Sequence, residues 1–218
     1  MPKFCPSMMC VDLSRLTEEV QALEKAGADM FHLDVMDGHF VPNFALGLED
    51  VRAISKLASI PFDVHLMLTN PDPYIETFAS LGCEIIYVHA ETCVHLHRTL
   101  SNIKKAGAKA GVAINPGTSI SVLEEILDVT DVVLVMSVNP GYAGQTFIDG
   151  TFDKIDRISD LISLKKSTAQ MAIDGAISPE VVSRLAGQIE YFVLGTAGLF
   201  RKDKSYSEAF VSLKALAG

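Results

Sequence analysis

Runs of basic residues are absent from this sequence. Its 18 lysines and arginines are scattered among 27 aspartates and glutamates, which leaves a formal net charge of −9. An electrostatic field of that sign repels nucleic acids and anionic membrane surfaces, so neither is an expected partner. A small phosphorylated ligand is compatible with this charge, because backbone N–H groups at helix N-termini bind phosphate without any net positive charge.

Long apolar runs and paired cysteines are also absent. No apolar run approaches the ~18 residues needed to cross a bilayer, and no basic segment followed by an apolar stretch stands at the N-terminus. The four cysteines, Cys5, Cys10, Cys83 and Cys93, form no C-x-x-C pair, which favours free thiols in a reducing compartment. We therefore expect a soluble, cytoplasmic protein.

Linkers, low-complexity tracts and charge blocks that would divide the chain are missing as well. Short β-branched runs instead alternate eight times with segments of helical period. The predicted strands are 3–7, 30–34, 62–68, 85–89, 110–114, 132–138, 170–174 and 191–195. The predicted helices are 13–26, 48–58, 73–81, 94–106, 120–128, 151–166, 179–187 and 205–216.

This alternation predicts parallel strands joined by right-handed crossovers. Eight such units predict an α/β protein with a single domain over residues 1–218, a (β/α)8 TIM barrel. The alternative is an open doubly wound sheet, but no G-x-G-x-x-G motif follows the first predicted strand.

Polar side chains occur where predicted strands end, which is where such barrels carry their active sites. His32 and Asp34 lie two residues apart in strand 2, His65 is in strand 3, and Asp174 ends strand 7. Each of them alone would be an ordinary satisfied polar residue. Together they form a mixed nitrogen and oxygen set that suits one Zn²⁺, Mn²⁺, Fe²⁺ or Co²⁺ ion, and suits Mg²⁺ less well.

Two further features surround this predicted metal site. Met36, Met67 and Met136 lie just beyond the ligands, where they form either core filler or, as we favour, a polarizable cap over a flat anionic intermediate. The loops "VNPGYAGQTF", "DGAIS" and "GTAGLF" follow strands 6, 7 and 8, and their glycines let the backbone approach a phosphate closely. The loop residues that we predict to contact substrate are Gly141, Gly144, Gly175, Ala176, Gly195 and Thr196.

The segments "HLDVMDGHFVPN", "DVHLML", "NPGT", "VNPGYAGQTFI" and "DG" occur in the order found in the ribulose-phosphate 3-epimerase family, which the chain resembles from end to end. The resemblance implies an isomerase that inverts C3 of a small phosphorylated ketose through a cis-enediolate. It places the family's divalent metal ligands on His32, Asp34, His65 and Asp174, and its methionine cap on Met36, Met67 and Met136. Ser7 matches a serine that contacts substrate, and we count His65 among the substrate-binding residues too.

Inversion at a carbon next to a ketone needs one group to remove a proton and another, on the opposite face, to return one. Asp34 and Asp174 are the expected acid–base pair. A decarboxylase or lyase on a similar barrel would need a lysine near a strand end, but Lys3 and Lys109 lie at the wrong ends of their strands. A non-catalytic sugar-phosphate-binding barrel would lack one of the aspartates, and this chain keeps both.

Cys10, Ala143 and "GTAGLF" look more like the D-allulose-6-phosphate 3-epimerase branch of the family. They predict D-allulose 6-phosphate, converted to D-fructose 6-phosphate, as the substrate. The alternative is conversion of D-ribulose 5-phosphate to D-xylulose 5-phosphate. We also expect a homo-oligomer.

Overall fold

A computed structural model describes all 218 residues and contains eight strands in one parallel sheet. The strands follow the order β1-β8-β7-β6-β5-β4-β3-β2, which is the order of a barrel opened between β1 and β2. Their bounds are Lys3–Pro6 (β1), Phe31–Met36 (β2), Phe62–Met67 (β3), Ile85–His89 (β4), Lys109–Ile114 (β5), Val132–Met136 (β6), Gln170–Asp174 (β7) and Tyr191–Leu194 (β8).

The remaining seam, between β1 and β2, is closed by fewer contacts than the other seven. A parallel bridge joins Ser7 to His32, and the backbone N–H of Asp29 donates to the Phe4 carbonyl at 3.1 Å. The predicted (β/α)8 barrel is therefore confirmed. The bridge also brings Ser7 beside His32, the second residue of β2.

Seven α-helices cover the outside of the sheet. They are Leu16–Ala26 (α1), Leu48–Leu57 (α2), Ile75–Ser80 (α3), Leu96–Lys105 (α4), Gly150–Leu164 (α5), Pro179–Leu185 (α6) and Tyr206–Leu216 (α7).

The prediction of a helix at 120–128 is wrong. A single 3₁₀ turn, Ile120–Leu123, and irregular turns connect β5 to β6 instead. Leu123, Ile126 and Leu127 are buried at the spacing of a helix, which explains the error. The segment is rich in β-branched residues, and the Thr130 hydroxyl donates to the Ile126 carbonyl at 2.7 Å. Both features disfavour a continuing helix, and turns bury the same apolar side chains.

The apolar core has two layers that follow from the alternation of side chains along each strand. The outer layer packs the sheet against the helices, and the inner layer fills the barrel. Tyr87, Leu134 and Ala172 belong to this inner layer. Because the barrel interior is filled, a ligand can enter only at its mouth.

Two other sequence expectations concern membranes and thiols. None of the helices is both long and apolar enough to traverse a bilayer. All four cysteines are free, with Cys5 and Cys83 buried.

Candidate active site

Strands β2 and β3 set the floor of the candidate site through their register. His32 pairs with Asp63, and Asp34 pairs with His65. All four side chains point into the barrel and are buried, at no more than 2% exposure. Two polar rows therefore lie side by side above the apolar interior layer.

The four predicted metal ligands come together at this floor. The candidate ligand atoms of His32, Asp34, His65 and Asp174 all lie within 4.8 Å of one another. Asp34 Oδ1 is 3.3 Å from both His32 Nε2 and His65 Nδ1. His65 Nδ1 is 3.8 Å from Asp174 Oδ2, so side chains from β2, β3 and β7 converge on one point.

The chemistry of this set fits a divalent cation. His32 Nε2 is fully buried and makes no hydrogen bond of acceptable geometry. A buried polar atom without a partner is costly, and a cation bound there would remove the cost. Two imidazoles and two carboxylates are ligands that zinc and similar ions accept, so the cluster can hold such a metal ion.

Asp63 is a member of the site to which the sequence analysis assigned no role. Its Oδ1 lies 2.6 Å from His32 Nδ1, on the side of the ring away from the metal ligands. Carboxylates commonly orient a metal-binding histidine from this position. The available signal was its place two residues before His65, on the same face of β3.

The two candidate acid–base carboxyl groups have opposite pKa shifts. Burial raises the pKa of Asp174, and the neighbouring Asp34 raises it further, to about 7. Burial also acts to raise the pKa of Asp34, but the adjacent imidazoles of His32 and His65 lower it well below its usual range. Near neutral pH the cluster thus favours an ionised Asp34 beside a readily protonated Asp174.

The hydroxyl group of Ser7 contacts one member of the carboxyl pair, Asp34. Its Oγ donates to Asp34 Oδ2 at 2.5 Å, and both side chains are buried. The bridge between Ser7 and His32 holds the serine backbone in place. In this structure the predicted substrate-contacting serine therefore stabilises the carboxylate form of Asp34.

A cavity at the mouth of the barrel opens directly above Asp34 and Asp174. Every predicted substrate-binding residue lines it except His65, which lies buried at the floor. Those residues are Ser7, Met36, Met67, Met136, Gly141, Gly144, Gly175, Ala176, Gly195 and Thr196. The lining also includes Met9, Pro140, Tyr142, Gln145 and Ala197, which the sequence analysis did not single out.

No lysine or arginine lines this cavity. An anionic group bound there would rely on backbone N–H groups of the loops after β6, β7 and β8. Gly175 shows why one of these loops needs glycine. Its φ is +115°, and a Cβ would come within 2.6 Å of Val138 Cγ2 and 2.9 Å of the Val138 backbone nitrogen.

The three methionines of the predicted cap all reach the cavity while remaining mostly buried. Met36 and Met67 pack with Val41, a residue of the loop that follows β2. Met136 packs instead with the interior layer of the barrel. The methionines therefore form an apolar wall on the ligand side of the site.

Fold and site together define a (β/α)8 barrel with a metal-competent cluster of histidine and aspartate beneath the mouth of the barrel. Comparison with known proteins places it more narrowly. Residues 3–199 match the model of the "Ribulose-phosphate 3 epimerase family", and the chain belongs to that family. It is accordingly an isomerase of the epimerase class.

Two curated relatives illustrate this membership. The ribulose-phosphate 3-epimerase of Bacillus subtilis is 45% identical over 181 residues, covering 83% of each chain. The chloroplastic ribulose-5-phosphate-3-epimerase of Arabidopsis thaliana is 40% identical over 96% of this chain and 75% of its own length.

Solved structures of other proteins share the fold at low sequence identity. The 3-keto-L-gulonate-6-phosphate decarboxylase of Vibrio cholerae is 15% identical, with a TM-score of 0.70 over 99% of this chain and 97% of its own. A likeness at that level of identity concerns the fold alone.

Proposed function

We propose that the protein interconverts D-ribulose 5-phosphate and D-xylulose 5-phosphate by inverting C3. The observation that carries the proposal is the pair Asp34 and Asp174, two carboxyl groups in one cluster beneath the cavity whose pKa values are shifted in opposite directions. Such a pair can supply a base and an acid at the same pH. Membership of the family is consistent with that chemistry.

Each turnover uses the two aspartates in turn. Asp34, ionised and held by Ser7, accepts the C3 proton on one face of the substrate, and a planar cis-enediolate results. Asp174, protonated, returns a proton to C3 from the other face. The reverse reaction exchanges the two roles, so both directions need the same pair.

His32, Asp34, His65 and Asp174 would hold one divalent ion, with zinc, manganese, iron or cobalt favoured over magnesium by the two imidazole ligands. When bound, such an ion supplies Lewis-acid stabilisation for oxygens that become negatively charged at C2 and C3.

The remaining lining residues position the substrate and exclude water. Met36, Met67 and Met136 present thioethers that offer no proton to the planar intermediate, which limits its loss to solvent. The phosphate is assigned to the backbone around Gly175, Ala176, Gly195 and Thr196, with Gly141 and Gly144 on the facing loop.

The hexulose preference predicted from Cys10, Ala143 and "GTAGLF" is not supported by the relatives. The similarity to proteins named ribulose-phosphate 3-epimerases extends over most of the chain at 40% to 45% identity. The features behind the prediction are a few side chains at the cavity rim. A pocket that differs by one hydroxymethylene unit discriminates by only ~1 to 3 kcal/mol, so a few rim residues are a weak basis for choosing the substrate.

The deciding experiment measures kcat/KM for D-ribulose 5-phosphate and D-allulose 6-phosphate side by side. We expect the pentulose phosphate to be preferred by about tenfold or more, and in D₂O we expect deuterium at C3 of the product. The variant Ala143→Gly should retain that preference. A tenfold preference for the hexulose phosphate would identify D-allulose 6-phosphate as the substrate instead. Inactivity on both sugars would refute the proposal.

We further infer one catalytic domain over residues 1–218, a cytoplasmic location and a homo-oligomer. The continuous barrel supports the first inference, and the four free cysteines support the second. The third is supported by large apolar side chains left in solvent, with Phe44 75% and Val94 88% exposed. Light scattering of the purified protein measures the oligomeric state.

A further inference from the structure

His65 has a second buried contact on the side away from Asp34. Its Nε2 lies 2.8 Å from Nε2 of His89, the last residue of β4. The two rings are stacked, with centroids 5.0 Å apart. Phe40 covers His89, with ring centroids 4.7 Å apart, and His89 is completely buried. Two imidazole nitrogens can share a hydrogen bond only if one carries the hydrogen and the other does not.

Glu91 decides which nitrogen carries that hydrogen. Its Oε2 lies 3.2 Å from His89 Nδ1, and an ionised carboxylate can only accept. His89 therefore donates from Nδ1, which leaves its Nε2 as an acceptor when the ring is neutral. His65 must then donate from Nε2, and its Nδ1 is left with a free lone pair. That nitrogen is the one facing Asp34 and Asp174.

Glu91 is itself held by the loop after β5. Its Oε1 accepts from the Asn115 backbone N–H at 2.9 Å and from the Thr118 hydroxyl. The loop is fastened in turn by Lys154 of α5, a lysine only 6% exposed. Lys154 Nζ donates to the carbonyls of Asn115, Pro116 and Thr118, each at 2.8 Å. An unbroken series of contacts thus runs from α5 to His65.

The two candidate metal-binding histidines are consequently oriented in different ways. His32 meets the carboxylate of Asp63 directly, 2.6 Å from its Nδ1. His65 instead contacts the neutral imidazole of His89. The carboxylate in this case belongs to Glu91, and it contacts His89 rather than His65. We propose that Glu91, acting through His89, is a positioning residue that fixes His65 in the tautomer with Nδ1 free to bind the metal. This inference rests on the metal site of the proposed function.

The test measures metal binding independently of turnover. The variants are Glu91→Gln, whose amide cannot accept from all three present donors, and His89→Phe, which keeps a stacked ring without nitrogens. The matched controls are Glu76→Gln on α3 and His97→Gln on α4, both at exposed positions. Co²⁺ affinity is determined by competition with a chelator, and the visible absorption spectrum of bound Co²⁺ reports its ligand geometry.

We expect a loss of Co²⁺ affinity within the 10- to 100-fold range typical of residues that orient metal ligands, larger for His89→Phe than for Glu91→Gln. The Co²⁺ spectrum should change in both variants and in neither control. If His89→Phe does not fold, Glu91→Gln alone decides. Affinities and spectra equal to those of the parent protein would overturn the inference.

A second readout addresses the tautomer itself. Long-range ¹H–¹⁵N spectra of the Zn²⁺-loaded protein should show His65 with its hydrogen on Nε2 and the metal on Nδ1. Zn²⁺ on Nε2 of His65 would contradict the inference even if affinities fell. If the parent protein epimerises ribulose 5-phosphate but both variants bind Co²⁺ normally, the role of Glu91 is refuted and the proposed function stands. A parent protein that binds no Co²⁺ would overturn the metal site as well.

Discussion

At the scale of single residues, Asp34 and Asp174 carry the same functional group in different surroundings. Asp34 is surrounded by the imidazoles of His32 and His65 and by the Ser7 hydroxyl. The strongest charge acting on Asp174 is instead the carboxylate of Asp34. Replacing either one by asparagine preserves its shape but removes the proton-transfer group and weakens a metal ligand.

We expect Asp34→Asn and Asp174→Asn each to lower kcat for epimerisation by at least the ~10² to 10⁴-fold typical of general acid–base groups. Circular dichroism should show an intact fold. The exposed Asp160→Asn on α5 is the control and should behave like the parent protein. Turnover close to that of the parent in either site variant would refute the two-aspartate scheme.

The raised pKa of Asp174 also predicts a pH dependence in the metal-free protein. The folded-state pKa of about 7 lies above the ordinary aspartate value of 3.8, so between these pH values the folded form retains a proton that the unfolded form has lost. The contribution to stability is full below about pH 3.8 and is lost as the pH rises to about 7.

The measurement is thermal unfolding in the presence of a chelator at several pH values from 5 to 8. Relative to Asp174→Asn, the parent protein should lose stability as the pH rises to 7 and should level off above it. Parallel profiles for the two proteins would show that Asp174 titrates normally in the folded state.

At the scale of elements, the pairing of β4 with β5 determines what lies beneath the site. Tyr87 pairs with Gly111, and the tyrosine ring occupies the space where a side chain at position 111 would be. The same ring lies 6.1 Å from the ring of His32 and 6.4 Å from that of His65, between centroids. A glycine in a strand thus permits the aromatic floor under both histidines.

We expect Gly111→Ala to destabilise the protein by ~1 to 3 kcal/mol, because the added methyl overlaps the Tyr87 ring in a filled interior. Urea unfolding measures this, and Co²⁺ binding should weaken as the ring is displaced toward the histidines. Gly150→Ala is the control, since a Cβ there meets nothing within 4 Å at the start of α5. An unchanged unfolding midpoint would mean that the strands shift without cost.

At the scale of the whole molecule, carboxylates at the bottom of the barrel extend the hydrogen bonding between strands. Asp29 accepts from the Phe4 N–H at 3.0 Å, Asp131 from the Ala110 N–H at 2.8 Å, and Glu190 from the Met171 N–H at 2.8 Å. Asp29 matters most, since it serves the sparsely bonded seam between β1 and β2. It also lies 3.2 Å from Lys214 of α7, which links the closure to the C-terminal helix.

We expect Asp29→Ala to lower the free energy of unfolding by ~1 to 3 kcal/mol, because the buried Phe4 N–H loses its partner. Activity should stay within about twofold, since the site lies at the other end of the barrel. Urea unfolding, hydrogen exchange at Phe4 and kcat/KM check these outcomes. The exposed Asp128→Ala should change none of them, and an Asp29→Ala protein as stable as the parent would show that the seam closes without this contact.

Local periodicity determined most of this architecture. Alternating strand and helix patterns predicted eight strands because each pattern depends on neighbours a few positions away, and parallel topology then brings all strand ends to one mouth. His32, Asp34, His65 and Asp174 were predicted for that reason. The helix predicted at 120–128 failed because apolar spacing alone does not distinguish turns from a helix when both bury the same residues.

Tertiary structure alone decided the rest, because the contacts involved join residues far apart in the chain. Ser7 bonds to Asp34 across the closing seam, and His65 reaches Glu91 only through His89. The raised pKa of Asp174 likewise depends on burial and on the charge of Asp34, which comes from another strand. Sequence patterns determine which side chains a strand presents to the barrel interior. Proton positions and electrostatic energies depend instead on distances that exist only after the barrel closes.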